Sequence, residues 1–141
     1  MKSGWERPVR QFMTLIRSAF ASGHAHLVAA PNGGAPEGYL EQCGWRKEES
    51  GEWVPRGRKI GWIKDEMNVF LDPSSSFVVA QRLARDQGER IPVTLSTLTK
   101  RLRRLNVLAS ADEPRETNTI RRTLEGGQHV VWHFLARDLM P

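Results

Sequence analysis

The chain has 141 residues, 39% hydrophobic and 26% charged, the size and balance of one soluble globular domain and not of a disordered or membranous chain. A single cysteine excludes an internal disulfide, and with it a disulfide-framed secreted scaffold. Lys and Arg outnumber Asp and Glu by 21 to 16, a formal charge of +5, and Arg carries most of the excess, which suits bidentate recognition of phosphate.

In chain order, Val9, Phe12, Met13, Ile16, Ala19 and Phe20 recur at three- and four-residue spacing and predict an amphipathic helix over Arg7–Ser22. Pro8 suits its first turn and Gly23 its stop. Residues 24–30 read as a short strand and 31–38, with two prolines and three glycines, as a loop. Signals are weak over 39–58, where a mixed charge cluster surrounds Trp45 and Trp53. A hairpin is expected over 59–71, turning near Asp65-Glu66 and bringing the face of Ile60 and Trp62 together with that of Val69 and Leu71. Asp72-Pro73 opens a second helix, with Asp72 as cap, that runs to about Gln87 with Phe77, Val78, Ala80, Gln81, Leu83 and Ala84 on and around its buried side. Thr94 or Ser96 caps a third helix reaching Asn106. A strand at 107–109, a polar loop at 110–116 and strands at 117–124 and 129–135 complete the chain.

The third helix carries the functional signal. In TLSTLTKRLRRLN (94–106), Leu95, Leu98, Leu102 and Leu105 fall within an arc of about 80° and make one narrow apolar stripe. Thr97, Lys100 and Arg104 occupy the opposite side, flanked by Ser96, Arg101 and Arg103. The segment contains no acid, whereas exposed helices ordinarily interleave both signs. Helix, short turn, basic helix, strand and hairpin in this order are the plan of a winged helix-turn-helix, whose second helix enters the major groove while its hairpin touches backbone or minor groove. With a three-residue turn at Gly126-Gly127-Gln128, Ile120 faces Phe134, Arg122 faces Trp132 and Leu124 faces Val130. Arg121 then points toward a phosphate and Arg122 stacks on Trp132.

Other constellations are weaker. His24 and His26 alternate beside Cys43, without the second ligand pair that zinc sites require, so no metal is expected. No phosphate-cradling glycine loop and no nucleophile with a defined base is present, so neither a cofactor nor catalysis is expected. Trp45, Trp53 and Trp62 read as anchors packing a small sheet against the first helix, or alternatively as stacking platforms for a single strand. The longest apolar runs, such as 77–80, fall far short of a membrane span, and Glu6, Arg7 and Arg10 break any signal segment, so the expected location is the cytoplasm.

Taken together, FASGHAHLVA (20–29), the APEGY and CGWR phrases (35–46), RGRKIGWI with VFLDP (56–73), AQRLARDQGERIPVT (80–94), TLTKRLRRLNVLAS (97–110) and RRTLEGGQHVVWHF (121–134) resemble the carboxy-terminal segment of helicase-like or primase-helicase-like ATPases carried by bacterial plasmids, phages and integrated mobile elements. That resemblance implies a small winged-helix-like tail beside a nucleotide-hydrolysing core. The ATPase motifs themselves are absent here, so it does not imply hydrolysis or unwinding by this chain.

The expected fold is therefore α+β: an amino-terminal helix with a small Trp-rich β-sheet extension over 1–71, and a winged helix-turn-helix over 72–141, the two forming one compact unit. The expected function is non-catalytic binding of DNA, duplex or single strand, as an accessory domain of a mobile-element replication or helicase protein. The expected contacts are Ser96 and Thr97 to phosphate, Lys100 and Arg104 toward the groove, Arg101 and Arg103 beside them, Arg121 to backbone, and Arg122 on the wing. The alternative is a winged-helix protein-interaction module docking an ATPase core or partner subunit, in the same or another chain. A stand-alone regulator would need a dimer interface, for which Phe12, Met13, Ile16 and Phe20 are the obvious candidates.

Overall fold

A computed structural model describes residues 6–110 and 119–140. Helix α1 (Arg7–Ser22) buries Val9, Phe12, Met13, Ile16, Ala19 and Phe20, the residues whose spacing defines it. Gly23 ends it at φ 77°, the left-handed conformation that costs glycine least. Strand β1 (Ala25–Ala29) follows, then a small hairpin of β2 (Trp45–Lys47) and β3 (Trp53–Pro55), then β4 (Arg58–Lys64) and β5 (Asn68–Leu71). Helices α2 (Pro73–Asp86) and α3 (Leu95–Arg104) come next, followed by β6 (Ile120–Leu124), β7 (Gly127–Leu135) and the short α4 (Ala136–Leu139).

Five strands form one sheet in the order β1-β4-β5-β7-β6, with β1 parallel to β4 and every other pair antiparallel. Pairing sets Val69 opposite Phe134 and Leu71 opposite Trp132. These side chains share the face covered by the helices, where Phe12 of α1 meets the Trp132 ring edge-on at 5.6 Å. Helix α1 packs on α2 and on α3, so one core unites residues from both sides of position 71. The opposite face carries Trp62, Phe70 and two imidazoles: Trp62 lies 4.6 Å from His129, and Phe70 stacks on His133 at 4.8 Å. The whole is a mixed α+β fold with an amino-terminal helix and a small Trp-containing antiparallel sheet, consistent in general terms with a winged-helix-like architecture.

The sheet curls until its two edge strands meet. The Glu125 N–H, in the turn between β6 and β7, donates to Ala30 O at the end of β1 (2.8 Å). The Glu125 carboxylate accepts from Trp62 Nε1 at 2.6 Å and from Lys59 Nζ. Burial of Ile120, Leu124 and Val131 follows from this closure, since all three lie on the curled-in side of the hairpin.

The segment 39–58, weakly patterned in sequence, wraps β1 through its glycines. Gly44 (φ 91°) and Gly57 (φ 68°) press their α-carbons against the chain at 24–26, so that a Cβ would stand 2.0 Å from Ala25 O and 2.1 Å from the His24 carbonyl carbon. That close approach permits Leu27 N–H to reach Cys43 O (2.9 Å) and Arg58 N–H to reach His24 O (3.0 Å). The β2–β3 hairpin in this segment carries Trp45 and Trp53, the residues expected to belong to a small Trp-rich sheet, although no strand bounds were expected here.

Several expectations are corrected. Trp62 lies opposite Phe70 and Ile63 opposite Val69, so the face of Trp62 is not the face of Val69 and Leu71. On α2 the buried residues are Ser76, Val79, Ala80, Leu83 and Ala84, while Val78 is exposed. No strand forms at 107–109; Ala109 N–H donates to His133 O (2.7 Å) and Ser110 makes one isolated bridge to the same residue. The polar loop at 110–116 falls, after Ser110, outside the described residues, as does the start of the strand expected at 117. The final turn is not Gly126-Gly127-Gln128 but Glu125-Gly126, with φ 54° and 77°, and Leu124 pairs directly with Gly127. Ile120 consequently faces Val131, Arg121 faces Val130 and Arg122 faces His129. Trp132 is fully buried on the other face of the sheet, so Arg122 does not stack on it.

Candidate nucleic-acid interface

Helix α3 begins where Thr94 leaves the extended region and its hydroxyl accepts from Thr97 N–H (3.1 Å). The Thr97 hydroxyl lies 3.1 Å from the Thr94 hydroxyl, which places it within the cap. Leu98 and Leu102 are fully buried and anchor the helix to the core, with Leu95 and Leu105 packed at the margin. Ser96, Lys100 and Arg104, spaced one turn apart, form an exposed stripe on the solvent side, while Thr97, Arg101 and Arg103 are half-buried beside it. Arg101, Arg103 and Arg104 all fall in the last turn, where cations also offset the helix dipole.

The acid-free sequence of α3 does not make an acid-free surface. Glu6, at the cap position of α1, sets one carboxylate oxygen 2.7 Å from Arg104 Nη2 and the other 3.1 Å from Arg101 Nη1. The sequence reasoning missed this residue, which stands 95 positions before Arg101; its only sequence signal was being the first acid of the chain. Lys100 carries no such tie to Glu6. On β6, Arg121 and Arg122 are both exposed and Arg122 Nη1 donates to Arg121 O (3.1 Å). Their strand register separates them: Arg121 sits on the helix-bearing face of the sheet beside exposed Val130, and Arg122 on the face of His129. The hairpin tip does not project freely, since Glu125 ties it to Ala30, Lys59 and Trp62.

The remaining sequence candidates have structural occupations. Trp45 is buried with its indole N–H on Leu27 O (2.7 Å), and Trp62 is buried under the hairpin, so neither offers a stacking platform; Trp53 is half-buried. Phe12, Met13, Ile16 and Phe20 are all fully buried, which removes the suggested dimer face. His26 Nδ1 bonds to Arg56 O (2.9 Å), and burial pulls its pKa below the usual imidazole range. His24 is exposed and lies 2.6 Å from the Ser22 hydroxyl. Burial pushes the Cys43 thiol up to about 12, which leaves it protonated and unreactive at neutral pH. Among the described residues no three His, Cys, Asp or Glu side chains come together as a metal site.

His133 bridges β5 and the segment after α3. Its Nε2 lies 2.8 Å from Asn68 Oδ1 and its Nδ1 lies 2.6 Å from Ser110 Oγ, so an Nε2–H tautomer satisfies both partners. Burial first, and the nearby Arg122 charge second, lower its pKa and hold the ring neutral. The arrangement pins the chain after α3 to the sheet.

No helix among the described residues is long and apolar enough to cross a membrane. No protein-family model, curated protein or solved structure matches the chain.

Proposed function

We propose that the chain is a non-catalytic DNA-binding module of winged helix-turn-helix type, acting as an accessory domain beside the ATPase core of a mobile-element replication or helicase protein. The observation that carries the reading is the exposed Ser96–Lys100–Arg104 stripe on a helix anchored by Leu98 and Leu102. A rigid, cation-bearing helix face of this kind supplies phosphate contacts together with a groove contact from Lys100. The element order supports it: β5, α2, α3, β6 and β7 follow one another, and β5 pairs with β7. The mid-strand position of Arg121 supports a backbone contact from the hairpin, whereas the anchored tip argues against deep insertion of the turn into a groove.

Fluorescence anisotropy with a labelled duplex and a matched single strand, across a salt series, tests this. Saturable binding with a steep salt dependence is expected. Lys100→Glu should weaken it at least about ten-fold, and Arg121→Ala should lower the salt slope by about one on every sequence tested. Absence of binding to either substrate at the lowest salt would overturn the reading and assign the basic face to an acidic protein partner.

A further inference from the structure

The Glu6 carboxylate is held differently from an ordinary capping acid. It sits at the cap position of α1, yet its side chain makes no hydrogen bond to that helix; only its backbone carbonyl does, accepting from Arg10 N–H (3.0 Å). Both carboxylate oxygens turn to α3 instead, one to Arg101 and one to Arg104. These arginines are three residues apart, neighbours on one helix surface, and their like charges would repel unless an anion lay between them. Glu6 Oε2 is buried and lies 3.1 Å from Arg101 Nη1 but accepts no hydrogen bond among the described residues, so the carboxylate is paired there by charge while that oxygen's hydrogen-bonding capacity goes unused.

A phosphodiester offers two anionic oxygens to a pair of guanidinium forks as a carboxylate does, with additional acceptor capacity. Arg104 remains 65% exposed on its side chain, so the place opens to solvent on that side, while its Arg101 end is half-buried. We infer that Arg101 and Arg104 form a clamp for a single backbone phosphate, and that Glu6 is its occupant in the free protein, displaced when nucleic acid binds. This rests on the DNA-binding reading above and adds the position of one phosphate and the residue that competes for it. Release of Glu6 leaves α1 in place, because the packing of α1 runs through Val9, Phe12 and Ile16 and not through this side chain.

The test compares duplex affinity of the wild type, Glu6→Gln, and Glu49→Gln, which removes the same charge from the β2–β3 turn. Glu6→Gln should bind about five-fold tighter than Glu49→Gln at low salt, because no intramolecular anion competes for the arginines. The gain should disappear when Arg101→Gln and Arg104→Gln are also present. Circular dichroism checks that each variant keeps its helix content, and Glu6→Ala provides a second removal of the carboxylate. If the wild type binds and Glu6→Gln binds no tighter than Glu49→Gln, the clamp is overturned while the DNA reading stands. Weaker binding by a folded Glu6→Gln also overturns it and makes Glu6 a residue that orients the arginines. If no variant binds DNA at the lowest salt, both readings fall together.

Discussion

Glu125 occupies the first position of a two-residue turn in which both residues adopt positive φ, where Asn or Gly is ordinarily favoured and Glu is strained. The strain persists because the side chain closes the sheet through Lys59 and Trp62. Glu125→Asn should therefore relax the turn yet destabilise the protein by a net of about 1 kcal/mol, since a charge-assisted bond is lost and the Trp62 indole N–H is left unpaired. Urea denaturation measures this directly. The same contacts, the hydrogen bonds from Lys59 and Trp62, hold the Glu125 carboxyl below its usual 4.5. Its stabilising contribution is complete above that value and is lost as pH falls through the lower folded value. Burial holds His26 and His133 below 6.5, so protonation of the unfolded chain begins to erode stability once pH drops below that value. A denaturation series from pH 8 to 3 should show an upper histidine phase and a lower carboxylate phase, with Glu125→Asn flattening only the lower one. None of this was legible in sequence, where Glu125 fell between the strand expected at 117–124 and the turn expected at 126–128, because its three partners lie 63 to 95 positions away.

At the scale of elements, local chemistry carried further. The cap at Asp72, whose carboxylate accepts from Ser75 N–H (2.8 Å), the stop at Gly23 and the leucine stripe of α3 are all short-range signals and lie where the sequence placed them, and the α3 cap falls on Thr94, one of the two residues the sequence offered. Removing the Thr94 hydroxyl with Thr94→Ala should cost about 1 kcal/mol. Leu98→Ala should cost about 2–5 kcal/mol, because Leu98 is fully buried. Both can be read as shifts in denaturation midpoint, and the ordering tests whether the α3 face is anchored as described. The hairpins fared worse. The β6–β7 register differs from expectation by three residues, an odd number, so Arg121 and Arg122 exchange faces relative to Trp132. The glycine-rich turn signal allows several neighbouring two- and three-residue turns, and the one observed is that in which Glu125 reaches Ala30, Lys59 and Trp62.

Across the whole molecule, α1 packs on α2 and α3, β5 pairs with β7, and Phe12 meets Trp132. Residues on the two sides of position 71 therefore have no core apart from each other. Thermal unfolding followed by tryptophan fluorescence and by far-ultraviolet circular dichroism should give superimposable single transitions. Two resolved steps would show that the halves fold separately. The sequence by itself determined the three principal helices, the cap at Asp72, the buried stripes of α1 and α3, and the concentration of cations on α3, because each depends on residues within one or two helical turns. Only the tertiary structure decided that Arg101 and Arg104 on that surface are paired with an acid. Glu6 reaches both from the far end of the chain, and the sheet closes on Glu125, because a charge takes whatever partner the fold brings within a few ångströms, however distant in sequence.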